Sequence, residues 1–274
     1  MKIPQNNYYT SSVSFRSIKG IAKVNPEDKS GDPINVENLL ISGNKEGYKL
    51  FNINETLNPT TPINPDKSYQ IIDIDSVDDR SNLLLDKEAK AAVKKMNNGI
   101  MRLNDNSVAD VGTFIDSFAD IQGRSQLNIN KASSTNPNLS CIADYDTLSS
   151  ISVSNKSKLN LKEANPKVDI RTYDAAEANV DSMQGEYTGL YQRDHSKSHV
   201  GTISNKAMVT VTDKAKTQVD KAEKDGLIYR DSYGSTAVIK KDNRSIKDKL
   251  ISQIISPTGI TIQKIINKLA SCIN

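Results

Sequence analysis

The apolar positions of this chain come in short runs rather than one continuous pattern, and each run predicts a small element. Residues 48–53 (YKLFNI) alternate apolar and polar, as do residues 69–74 (YQIIDI), so two strands joined by a proline-rich loop are expected. From Leu85 the positions Leu85, Ala89, Ala92, Val93, Met96, Ile100 and Leu103 fall at steps of three, four and seven, and the lysines between them supply a charged outer face. Ser107 and Asp110 have capping-box spacing, after which Val108, Val111, Ile115, Phe118 and Ile121 recur helically until Gly123. These patterns predict a helical hairpin over residues 83–122.

The segment 124–167 is rich in Ser and Asn, with brief alternations at 151–153 and 159–161 that fit weak strands or a linker. Further on, 187–191 and 207–211 read as strands, 213–224 as a charged helix, and 227–230 with 236–240 as a hairpin around DSYGS. Ile246, Leu250, Ile251, Ile254 and Ile255 lie on one helical face, and Ile262, Ile265, Ile266 and Leu269 on another beyond Pro257 and Gly259. The expected fold class is therefore α+β, with small mixed or antiparallel sheet elements, a helical hairpin and C-terminal helices. The expected organisation is a tail over 1–32, an α+β segment over 33–125 and a second over 140–274, with a boundary near 125–140. No internal repeat in the usual window of about 20–50 residues emerges, so a solenoid is not expected.

Composition changes this picture in one respect. Apolar residues make up only 36% of the chain, with no run long enough for a spanning helix, so no membrane span is expected. The first 20 residues lack the apolar core of a conventional signal peptide. Charge is segregated: residues 1–26 carry four basic residues and no acid, residues 203–274 carry 13 basic and 7 acidic, and the body between them is net acidic.

Candidate chemistry is sparse. Cys141, His195 (or His199) and Asp213 run in the order of papain-like hydrolases, where an imidazole activates a thiolate and a carboxylate orients the imidazole. The flanking NLSCIAD lacks the glycines and aromatic residue of those signatures. His195 and His199 are four apart, but Ser and Gly around them favour a loop, and no glutamate completes a zinc-protease motif. Arg16 invites comparison with the strand arginine of ADP-ribosyltransferases, yet no Glu-x-Glu follows Ser235–Thr236. Asp73, Asp75, Asp78 and Asp79 lack the glycine and glutamate of an EF-hand and read as a solvated acidic loop. Lys240, Lys241, Arg244, Lys247 and Lys249 are interrupted by acids and carry no aromatic platform, so nucleic acid is not expected. Neither a phosphate-binding glycine loop nor a metal set is present, and no cofactor or metal is expected.

The acid-free, Ser/Asn-rich leader ahead of a body without Trp resembles effectors delivered by bacterial type III secretion. That resemblance implies export without a conventional signal peptide into a eukaryotic host cytoplasm, and a host protein as partner. The alternatives are a cysteine-dependent hydrolase or deamidase effector using Cys141 and His195, and a bacterial or phage structural or adaptor protein. The sequence leaves open whether the chain is an enzyme.

Overall fold

The computed structural model describes residues 16–54, 59–135, 149–230 and 234–249. It overturns the α+β expectation. The described chain is a β-solenoid of two 11-stranded sheets, with one short helix at 246–249. The predicted hairpin region instead holds β7 (Asn82–Lys87), β8 (Lys90–Asn97), β9 (Ile100–Leu103), β10 (Val108–Ile115) and β11 (Phe118–Ile121). The expected helix at 213–224 is β20 (Lys216–Ala222), and the expected terminal helices lie outside the described residues beyond 249.

The first sheet, sheet A, continues from β6 (Ile71–Asp78), β8 and β10 through β12 (Gln126–Ser133), β14 (Lys158–Ala164), β16 (Glu177–Gln184), β18 (Lys197–Ser204), β20 and β22 (Thr236–Asp242), all parallel. Sheet B runs from β7, β9 and β11 through β13 (Ser149–Val153), β15 (Val168–Thr172), β17 (Gly189–Gln192), β19 (Met208–Val211) and β21 (Leu227–Arg230), also parallel. The chain alternates between the sheets, so each coil contributes one strand to each. The expected pair at 227–230 and 236–240 is thus no hairpin, because β21 pairs with β19 and β22 with β20.

At the N-terminal end the sheets become antiparallel. There β1 (Ser17–Lys23) pairs with β2 (Asp32–Val36) and β6, while β3 (Asn38–Asn44) pairs with β4 (Gly47–Ile53), which pairs with β5 (Pro59–Pro62). β1 lies inside the segment read as a tail, and the ladders β11–β13 and β12–β14 run across the region read as a boundary.

A repeat builds this fold. Lys90, Val108 and Gln126 share one register position at steps of 18 residues; Lys158, Glu177, Lys197, Lys216 and Thr236 continue it at steps of 19 or 20. Six corners from sheet B into sheet A follow one pattern: LNDNSVADV from Leu103, IQGRSQLNI from Ile121, VSNKSKLNL from Val153, TYDAAEANV from Thr172, QRDHSKSHV from Gln192 and VTDKAKTQV from Val211. The third position has a left-handed backbone in all six: Asp105, Gly123, Asn155, Asp174, Asp194 and Asp213 have φ between 55° and 74°. Gly, Asn and Asp are the residues that tolerate it. The fifth position of these six, always Ser or Ala, is buried at the inner corner.

Inward residues then alternate with outward ones. Leu83, Leu85, Ala89, Ala91, Val93 and Met96 are buried, and Met101, Leu103, Ala109, Val111 and Phe114 repeat the set one coil on. The core is one continuous column of such residues from Ile18 to Ile228. Ala92 and Phe118, placed inward by a helical reading, face out.

Outside sheet A, register stacks Asp110, Asn128, Asn160 and Asn179. Asn128 Nδ2 donates to Asp110 Oδ1 at 2.6 Å, Asn160 Nδ2 to Asn128 Oδ1 at 2.7 Å and Asn179 Nδ2 to Asn160 Oδ1 at 3.0 Å, forming an amide ladder across four coils.

Candidate binding groove on the outer face of sheet B

The two outer faces differ in chemistry. Sheet A displays lysines, acids and amides joined by exposed ion pairs such as Lys94–Asp75 and Lys240–Asp220. Such exposed pairs contribute little to stability. Sheet B presents a groove instead. Its first part, about 600 Å³, is lined by residues including Arg80, Ile100, Phe118, Asp120, Ser150 and Arg171; a second part of about 320 Å³ adds Tyr191, Arg193 and Thr210, and the two share Arg171 and Tyr173.

Local structure holds these side chains. On β15, Asp169 and Arg171 both point outward, and Arg171 donates to Asp169 Oδ2 from Nε at 2.8 Å and from Nη2 at 2.7 Å. Asp169 is only 5% exposed although it faces out, and its other oxygen, Oδ1, is buried without a hydrogen-bond partner. Burial pushes its carboxyl above the usual range, and the bonds and charge of Arg171 oppose that shift. One coil on, Gly189 is the register partner of Asp169 and Tyr191 that of Arg171. A Cβ on Gly189 would fall 2.7 Å from Tyr191 Cε2 and 3.3 Å from its hydroxyl oxygen. The Tyr191 ring therefore lies back across Gly189, close against the sheet, and a side chain there would lift it. Phe118 and Tyr191 are the groove's exposed aromatic residues, at 38% and 37%.

No family model, curated protein or solved structure matches this chain. The groove's two acidic lining residues are already engaged. Asp120 accepts from Gln122 Nε2 at 2.7 Å, and Asp116 accepts from Thr135 N at 2.9 Å and from the hydroxyls of Ser134 and Thr135. The pair is used in holding structure.

Those residues singled out from sequence that the structure describes lie elsewhere. Cys141 is outside the described residues, as is Cys272. His195 is exposed at the corner before β18, its backbone N–H donating to Asp174 O at 2.9 Å. Asp213 is the left-handed residue of the following corner, and its carboxylate accepts from Thr212 Oγ1 at 3.4 Å. The residue after it, Lys214, donates from its N–H to Asp194 O, so Asp213 stacks over Asp194 rather than over His195. His199 sits on the outer face of sheet A, bonded through Nε2 to Asp220 Oδ2 at 2.8 Å. Asp220 is held below the usual carboxylate range by Lys240 and His199.

Asp73 and Asp75 are strand residues of β6, partnered by Lys23 and Lys94, rather than parts of a loop. Arg16 and Ser235–Thr236 stand at opposite ends of the solenoid. Among the described residues no group of three or more His, Cys, Asp or Glu is placed to hold a metal, and no helix is long and apolar enough to cross a membrane. The signal that would have found the groove is positional. Arg171 and Tyr173 flank Thr172, and Tyr191 precedes Gln192, the buried residues that open two of the corner motifs.

Proposed function

We propose that this protein is a binding scaffold that holds an extended partner along the outer face of sheet B. The observation that supports it is the groove crossing β9, β11, β13, β15, β17 and β19, whose two parts are joined through Arg171 and Tyr173. Five inter-strand spacings of about 4.8 Å give it a length of about 24 Å. A row of positions spaced by a rigid ladder suits a linear partner better than a small compact one, and rigidity lowers the ordering cost of binding. Delivery as an effector would place that partner in a host cell, a proposal that rests on residues 1–26 and is independent of the groove.

The test compares faces. The full chain, the double variant Phe118→Ala/Tyr191→Ala on sheet B and the double variant Lys131→Ala/Lys216→Ala on sheet A are presented to immobilised polysaccharides and to proteins of a eukaryotic extract. The reading expects a retained partner that only the sheet B variant loses. Equal loss from both variants, or retention by all three, overturns it.

A further inference from the structure

We infer that the partner of this groove is an uncharged, extended oligosaccharide, an inference that rests on the sheet B reading above. Three observations lead to it. The first is charge. Arg80, Arg171 and Arg193 line the groove against Asp116 and Asp120, and the buried Asp169 neutralises Arg171, so the surface carries no net charge. Nucleic acids and acidic glycans bind through an excess of cationic groups, which is lacking here.

The second is the seating of Tyr191. With no side chain at Gly189, the ring settles against the sheet. The C–H face of a pyranose carries slight positive charge and packs against the negative face of such a ring. Phe118, across Arg171 and Tyr173 in the adjoining part of the groove, supplies a second apolar contact. A protein interface would call for a contiguous, fully buried apolar centre instead. Here the two exposed rings stand on separate coils, and Ser150, Ser152 and Thr210 lie among the lining residues.

The third is the clamped Asp169–Arg171 pair. Two bonds to one carboxylate oxygen fix the guanidinium, so the plane of Arg171 on the groove floor is set before any ligand arrives. Asp169 Oδ1, buried and without a hydrogen-bond partner, lies on β15 between the register partners Ser150 and Gly189. It is an acceptor that a sugar hydroxyl could satisfy with a small shift of the cover. Alternating hydroxyl-facing polar groups and flat rings along a line is the pattern an extended sugar chain requires, since its hydroxyls point sideways and its ring faces are apolar.

The experiment is a glycan array probed with the full chain, carrying neutral gluco-, xylo-, manno- and N-acetylglucosamine oligosaccharides beside heparin and polygalacturonate, followed by titration calorimetry on any hit. Tyr191→Ala is expected to weaken binding at least tenfold. Gly189→Ala, which keeps every groove side chain but lifts the ring, is expected to weaken it severalfold. Circular dichroism and melting should show both variants folded. Binding only to the anionic glycans, or neutral binding unaffected by both variants, refutes the inference. A blank array together with an extract protein lost only from the Phe118→Ala/Tyr191→Ala variant also refutes it, while leaving the sheet B reading in place. Sugar binding indifferent to sheet B variants removes both.

Discussion

Asn160→Asp replaces one NH2 group of the amide ladder by an oxygen, and its effect can be worked out bond by bond. In the native protein Asn160 donates to Asn128 Oδ1 and accepts from Asn179 Nδ2. The introduced carboxylate keeps the second bond and loses the first, setting two oxygens against each other where a 2.7 Å hydrogen bond had been. Asn128 Oδ1 still accepts from Gln126 Nε2 at 2.8 Å, so it is not orphaned. One lost bond of about 1 kcal/mol, with some oxygen–oxygen repulsion, gives a deficit of about 1.5 kcal/mol at neutral pH. Protonation restores a donor, so the folded state binds this proton more tightly than the unfolded chain does. The deficit corresponds to a pKa raised by about one unit, from the ordinary value of about 3.9 to about 5. Stability relative to wild type should therefore be lowest above pH 6 and recover as pH falls through about 5. Urea unfolding followed by circular dichroism at pH 7.5 and 4.0 reads this directly, with Asn160→Ala as the variant that cannot recover. A deficit equal at both pH values, or none at pH 7.5, would refute the ladder's contribution.

Three further outcomes are expected. Because the folded-state pKa of Asp169 is raised by burial, its charge costs stability at neutral pH, and that cost disappears as pH falls through the raised value; Asp169→Asn should show a stability curve flatter than wild type between pH 7 and pH 4, measured by thermal melting. Gly123→Ala puts a methyl group at φ +74° and 2.9 Å from the backbone nitrogen of Asp105, and should cost about 2 kcal/mol in urea unfolding. Asn155→Gly, at the equivalent corner with φ 61°, should change stability by well under about 1 kcal/mol, since Asn and Gly both accept that conformation.

Much of the strand content was legible, and its arrangement was not. The alternations at 48–53, 187–191 and 207–211 became β4, β17 and β19 with small shifts at the ends. Around residues 83–122 helical spacing misled, because each corner inserts a step of three to five between buried positions. Picking Leu85, Ala89, Val93 and Met96 from the true inward series reproduces helical spacing, while the omitted Leu83 and Ala91 are what reveal period two. The repeat escaped because it is conserved as chemistry rather than identity, its period sits at or below the lower edge of the usual window, and residues 136–148 interrupt it. The six corner motifs were readable in the sequence as a recurring Asp, Asn or Gly two residues before a Ser or Ala. The groove was not, since Phe118 and Tyr191 acquire a common face only once the coil length is known.

The coil has a consequence for how this protein can change in length. From β8 onward, each parallel strand's sheet partners lie one coil away along the chain, apart from the longer interval spanning 136–148, so every rung is held by its two neighbours and by nothing more distant. A cut or an addition of one whole turn leaves inward residues inward and corners over corners, whereas a half-turn exchanges the two sheets. The molecule is thus a measuring stick graduated in units of one strand spacing, and its recognition face can be lengthened or shortened only by whole graduations.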